Sequence, residues 1–336
     1  MKLDKQKEEI FYSKNFSFSY SSINKLLHSP ALFYKDYILL DKEEKTDKHL
    51  IEGKLLHCLL LIYKQFNKLF TIMPNKIPSE NIKRIMKGIS IMGKGTANIK
   101  DLDLVDDNII LDELKYNNLY QTLKTDEQRV AKIKTEDNNI YWKFLCTSKK
   151  DIIDQDMYDK AKSRVEIMQS NIDVTDLIGV EATDFELDSI EVYKEKPLEC
   201  ELKKYNFGLK GIIDHFSIDH DKKTITINDV KTTGKTLSDF PESIEYYNYW
   251  LQAAIYCKLV YEFVKEECKN YKIIFNFVTI DKYNQVYVFN VSDSTMSEWT
   301  QGLAKCLTNI NVHFETRDYS VPYHLMKDSE GNKFKL

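Results

Sequence analysis

Two apolar runs separated by a polar tetrapeptide constrain this chain more than anything else in it. Leu209-Lys210-Gly211-Ile212-Ile213 runs into Asp214 and on to Ile218, and Ile225-Thr226-Ile227-Asn228-Asp229-Val230-Lys231 follows after His220-Asp221-Lys222-Lys223. β-Branched residues crowd both runs and the segment between them is turn-forming, which predicts an antiparallel hairpin over 209–218 and 224–230. Strand alternation then sets Asp214 beside Asp229 and puts Lys231 on the face of Asp229. Neighbouring aspartates repel, and a divalent cation between them removes the repulsion. Oxygen donors with few protein ligands suit magnesium or manganese. The lysine is then positioned to orient water or to stabilise charge on a phosphate. An Asp and a Lys two apart at a strand end are also a common solvated ion pair, so the choice between the readings falls to the neighbouring motifs.

The rest of the chain reads as helices, then strands, a helix and a closing strand pair, which is a mixed α/β domain. Phe18 to Leu27 opens with an N-cap serine and an amphipathic helix carrying Ile23, Leu26 and Leu27 on one face. Ser29-Pro30 breaks it, and Ala31 to Leu40 resumes as a second, aromatic-rich helix. After a charged linker at 41–48, Glu52 to Ile62 is almost continuously apolar, as in a helix buried on most sides, with His57 as its single histidine. Residues 74–139 are polar with weak helical periodicity and read as a helical insertion. Gly88, Gly93 and Gly95 lack the Lys-Ser/Thr pair of a phosphate-binding loop. A helix at 156–168 carries a stripe of Met157, Ala161, Val165 and Met168. Strands are expected at 189–193, 198–204, 271–280 and 285–291, with one long helix over 245–269. The domain plan is a charged N-terminal tail (1–17), a single domain (18–315) and a C-terminal tail (316–336).

At 336 residues the chain is long enough for a substantial core, and 43% hydrophobic with 30% charged residues is the balance of a water-soluble fold. It has no apolar run of about 20 residues to cross a bilayer, and its charged N-terminus is followed by no apolar stretch, so a cytoplasmic location is expected. The six cysteines form no Cys-x-x-Cys pair, which argues for reduced thiols rather than a zinc or iron–sulfur site. A net charge of −4 rules out an overall basic coat but leaves room for a local cationic track. Lys25, Lys35, Lys203, Lys204, Lys210 and Lys235 are candidates for phosphate contacts, and Tyr246, Tyr247, Tyr249 and Trp250 for stacking on an unpaired end.

Four motifs in order now carry a resemblance: Gly53-Lys54-Leu55-Leu56-His57, Gly211-Ile212-Ile213-Asp214, Asp229-Val230-Lys231-Thr232-Thr233 and Gln252-Ala253-Ala254-Ile255-Tyr256. Together with Ser19-Tyr20-Ser21-Ser22 and Ser29-Pro30-Ala31-Leu32-Phe33-Tyr34, they resemble the PD-(D/E)XK nuclease superfamily in its RecB-like branch, and most of all the RecE-type phage and prophage exonucleases. The resemblance implies a restriction-endonuclease-like core, a mixed central sheet flanked by helices, with an N-terminal helical region. It implies that His57, Asp214, Asp229 and the carbonyl of Val230 bind magnesium or manganese, that Lys231 is catalytic, that Gln252 and Tyr256 contact substrate or brace the active site, and that Thr232 and Thr233 face substrate. An acidic residue on the preceding strand often completes such sites; Glu199 ranks first, before Glu201 and Glu191. Relatives with an iron–sulfur cluster have a cysteine near the Ser-Pro step, where this chain has His28-Ser29-Pro30, so no cluster is expected. The implied activity is 5′-to-3′ digestion of linear duplex DNA in phage-type recombination, with a ring-like homo-oligomer and a single-strand annealing protein as partner. An endonuclease of the same fold and a non-catalytic DNA- or protein-binding member are the alternatives.

Overall fold

The apolar runs of the second half, joined by residues 16–18, build one mixed sheet, and some of the helices lie against its faces. In this computed structural model, residues 2–42, 48–92, 99, 101–146, 150–179 and 189–326 are described. Most of the charged linker, Gly93, Gly95 and the end of the C-terminal tail lie outside them. The first segment holds α1 (Lys2–Tyr12), β1 (Phe16–Phe18), α2 (Tyr20–His28), α3 (Pro30–Phe33) and α4 (Lys48–Leu61). Then come α5 (Phe66–Leu69), β2 (Phe70–Ile72), α6 (Glu80–Met92), α7 (Asp107–Tyr116), α8 (Asp126–Ile133), α9 (Glu136–Leu145), β3 (Asp151–Ile153), α10 (Gln155–Gln169) and α11 (Ile172–Ile178). Last are β4 (Ile190–Glu201), β5 (Phe207–Asp219), β6 (Thr224–Thr232), α12 (Phe240–Tyr246), α13 (Tyr249–Phe263), β7 (Lys272–Ile280), β8 (Val286–Val291) and α14 (Asp293–Thr316). The chain divides into two compact units, 1–62 with 163–336, and 63–162.

In the larger unit the sheet runs β1-β5-β6-β7-β8, with β4 paired along the other edge of β5. β5 is antiparallel to β4 and β6, and β6 is parallel to β7. One edge of β5 is shared: β1 pairs with residues 207–209 and β6 with 215–219. Residues 210–214 therefore meet no strand on that edge, and a gap opens there among the described residues. The α13 helix, buried along most of its length, packs between the sheet and α14. On the opposite face, α4 meets β5 and β6, and the Leu177 carbonyl of α11 accepts from Asn228.

Strand alternation is interrupted at one place. Phe207, Leu209 and Ile213 join the core, and so do Phe216 and Ile218, so β5 changes parity between 213 and 216. β4 changes with it: Leu198 is in the core and Tyr193 packs on it, stacking on Phe216 at 4.5 Å. The register does not slip, because Lys194↔His215 and Lys196↔Ile213 flank the pair Glu195 and Asp214. One residue on each strand is turned out together, and Glu195 takes a left-handed φ of 46° to do so. That conformation costs a side-chain-bearing residue about 1–2 kcal/mol.

Three sequence expectations change. The stretch 1–17, read as a charged tail, contains α1 and β1, because Phe11 closes an aromatic cluster with Phe16, Phe33 and Phe314. The long helix over 245–269 is two helices, since Asn248 adopts a left-handed backbone between α12 and α13. The strands expected at 189–193 and 198–204 are one, β4. The expected N-cap is present: Ser19 and Ser22 form a capping box at the start of α2.

The smaller unit has its own core of Ile85, Met86, Ile89, Leu102, Ile110, Leu114, Val130, Ile133 and a fully buried Trp142. Gly88 of α6 belongs to this packing and not to a phosphate loop, because the Glu113 carboxylate occupies the space its Cβ would need.

Candidate active site

Asp214 lies where β5 and β6 part company. The last paired residues are His215 and Asn228. One step further, Asp214 Oδ2 accepts the backbone N–H of Val230 at 2.8 Å, so a side chain replaces the ladder bond. Into this parting comes His57 of α4, whose Nε2 lies 3.0 Å from the Val230 carbonyl oxygen. Its Nδ1 lies 3.6 Å from Asp214 Oδ2 and 3.5 Å from Glu195 Oε1. His57, Glu195 and Asp214 each offer one ligand atom within 4.8 Å of the others. The paired turn-out of Glu195 and Asp214 is what brings two carboxylates of adjacent strands to the same point.

Asp229 is fully buried beside this cluster. Gln252 Nε2 donates to Asp229 Oδ1 at 3.3 Å and to the Tyr256 hydroxyl at 2.8 Å, one helical turn on. Lys231 Nζ forms an ion pair of 2.5 Å with Asp229 Oδ2, and that oxygen has no aligned hydrogen-bond donor. The same ammonium stands 4.9 Å from the centre of the Tyr249 ring. Tyr256 lies against Gly211, where an added Cβ would come within 3.0 Å of its ring.

The charges in this cluster hold one another in place. Burial depresses the His57 imidazole, but Asp214 and then Glu195 outweigh it and hold it up at about 9, against Lys231. Burial raises the Asp229 carboxyl, Lys231 opposes the rise and Asp214 adds to it. Burial likewise works against the Lys231 ammonium, yet Asp229 and Asp214 keep it above its ordinary value. A cluster that keeps two cationic side chains charged is built for positive charge. The His57 imidazole with the Glu195 and Asp214 carboxylates is a suitable donor set for a divalent ion, which must displace the proton from His57 to use it as a ligand.

Glu199 does not join the cluster. Its carboxylate accepts from Ser17 Oγ, and Glu195 occupies the place that β4 offers. Glu191 is likewise bound elsewhere, by Tyr193 and His220. The left-handed backbone at 195 has no local sequence signal, and ranking by position on the strand puts Glu199 first. Thr232 pairs with Ile280 at the end of β6, and the Thr233 hydroxyl accepts from the Lys235 amide in the following turn. Of the candidate phosphate-binding lysines, Lys25 is paired with Asp36 and Lys235 with Glu242.

A model of the PD-(D/E)XK nuclease superfamily matches residues 153–320, half of the chain. The chain belongs to the PD-(D/E)XK nuclease superfamily. Its mixed sheet flanked by helices is consistent with that fold. No curated protein matches the sequence. Among solved structures it is similar to a protein from Eubacterium rectale provisionally named an exonuclease, at 11% identity and a TM-score of 0.41, over 91% of this chain and 82% of that one. As in other PD-(D/E)XK nucleases, the expected chemistry is hydrolytic and uses a divalent metal, and the His57, Glu195 and Asp214 group is able to hold one. Among the described residues no helix is long and apolar enough to cross a membrane.

Proposed function

We propose that this chain is a divalent-metal-dependent deoxyribonuclease that digests linear duplex DNA from its ends. The observation that carries the reading is the convergence of Asp214, Asp229, Lys231, His57 and Glu195 at the parting of β5 and β6. Asp214, Asp229, His57, Glu195 and the Val230 carbonyl are the ligands in this proposal, and magnesium or manganese is the ion. A bound divalent ion supplies Lewis acidity to the scissile phosphate. Lys231, held by Asp229 and Tyr249, donates to the phosphate or to the attacking water as charge develops. Gln252 fixes the orientation of the Asp229 carboxylate, and Tyr256 holds Gln252. Thr232 and Thr233 border the site from the end of β6.

Digestion from ends, 5′-to-3′ polarity, a homo-oligomeric ring and a role in phage-type recombination beside a single-strand annealing protein rest on the RecE-type resemblance of the four motifs. The test compares end-labelled linear duplex with covalently closed circles, with and without magnesium. Linear DNA is expected to lose nucleotides from its ends only when magnesium is present, and the circles to survive. Equal cutting of the circles would replace this reading with an endonuclease.

The assignment of ligands has its own measurement. Calorimetric titration with manganese is expected to show Glu195→Gln weakening the ion's binding at least about tenfold. Glu199→Gln is expected to stay within about twofold of the parent, since that carboxylate is bound to Ser17. Equal effects of the two substitutions would remove Glu195 from the ligand set.

A further inference from the structure

A file of tyrosine rings begins at the active-site lysine and ends in solvent. Lys231 Nζ lies 4.9 Å from the Tyr249 ring. The Tyr249 and Tyr247 rings stack with centroids 5.4 Å apart and planes 29° apart. Tyr246 meets Tyr247 edge-on at 4.9 Å. Exposure rises along the file: Tyr247 is 46% and Tyr246 77% accessible.

Rings of this size normally bury their faces. Here hydrogen bonds hold them outward. Asn248, left-handed between α12 and α13, donates to Asn24 Oδ1 at 2.7 Å and accepts from Trp250 Nε1 at 3.1 Å. The Tyr247 carbonyl accepts from the Tyr20 hydroxyl and from Asn24 Nδ2, both on α2. The turn is thus fastened to α2 through its backbone and Asn248, while Tyr246 and Tyr247 stay accessible to solvent. Nothing in the cluster around Asp214 and Asp229 requires that arrangement.

We infer that Tyr246 and Tyr247 form a stacking platform for unpaired bases of a DNA end, leading the strand toward Lys231. This rests on the nuclease reading and adds the form of the substrate: an end with a single-stranded extension. Every base has a π face, so aromatic stacking holds a strand without reading its sequence, which suits an enzyme that acts on ends. The file is continuous with the proposed catalytic cluster, so a base on Tyr247 lies on the path to the ammonium that faces the scissile phosphate. Bases, rather than a paired duplex, suit these accessible rings, because a duplex presents its base faces only at its terminus.

The experiment measures equilibrium binding of the full chain, carrying Asp214→Asn to prevent digestion, to a blunt duplex and to the same duplex with a short single-stranded overhang containing 2-aminopurine. The overhang is expected to bind more tightly than the blunt end and its fluorescence to be quenched. Tyr246→Ala and Tyr247→Ala are each expected to weaken overhang binding about tenfold, to change blunt binding less than about twofold, and to lift the quenching. Tyr246→Phe is expected to retain both binding and quenching, because the ring and not the hydroxyl does the stacking. Alanine variants that bind the overhang as the parent does, or that weaken both duplexes alike, overturn the platform. If the unsubstituted chain still digests linear DNA in that event, the nuclease reading stands and only the platform falls; if it digests no DNA, both fall.

Discussion

Lys231→Met is expected to lower turnover on linear duplex DNA by about a thousandfold and to cost the fold about 3–5 kcal/mol. Both effects come from one contact, the 2.5 Å pair of Lys231 Nζ with Asp229 Oδ2, which is fully inside the protein on the aspartate side. In catalysis the ammonium is lost where charge develops on the phosphate. In the fold, a buried carboxylate is left without its cation, and the N–H of Gln252 at 3.3 Å is the weak contact that remains. The two effects separate in the double variant Asp229→Asn with Lys231→Met, which removes the unpaired charge and is expected to regain most of the stability and none of the activity. Single-turnover digestion and urea unfolding of the four proteins of this cycle make the measurement. Full turnover in Lys231→Met would discard the lysine's assigned role, and unchanged stability would mean that Asp229 is relieved by some other group.

Trp142→Ala is expected to cost about 3–5 kcal/mol, because the ring is fully buried and the surrounding helices cannot close over the space it leaves. The indole also donates to the Ile99 carbonyl at 2.9 Å, and its removal gives up that part-buried hydrogen bond as well. Its apolar neighbours, from Ile85 on α6 to Ile133 on α8, all lie within residues 63–162. Hydrogen exchange should therefore speed up first in that span, with the strands β5 to β7 keeping their protection. Denaturant unfolding followed by circular dichroism gives the magnitude; a loss below about 1 kcal/mol would show that the helices repack.

The sequence was legible wherever apolar, β-branched or helically spaced residues marked out an element, even where, as in β5, the alternation breaks once inside it. Strands β5 and β6, the turn between them and the apolar helix around His57 follow from alternation and helical spacing, and the observed register places Asp214 one step beyond His215↔Asn228, opposite Asp229. The helix break at Asn248 was missed, because asparagine enters the left-handed region without glycine's signature and its reward is a hydrogen bond to Asn24, more than two hundred residues away. The helix at 2–12 was missed for a similar reason. Its charged composition looks like a tail, and what fastens it lies elsewhere in the chain: the rings of Phe33 and Phe314 against Phe11, and the Tyr319 hydroxyl against Tyr12.

What the sequence by itself determined about this protein is its chemistry: two aspartates, a lysine and a histidine in an order and setting that resemble one nuclease superfamily, with the residue types to hold a divalent ion. Tertiary structure alone decided which glutamate stands with them. Glu195 and Glu199 lie on the same strand, and position along it ranks Glu199 first. The choice falls to Glu195 because β4 and β5 turn out one residue each at the same step, with Glu195 at a left-handed φ of 46° and Asp214 taking over the Val230 ladder bond. A paired irregularity of that kind belongs to two strands at once, so neither strand's own sequence contains it.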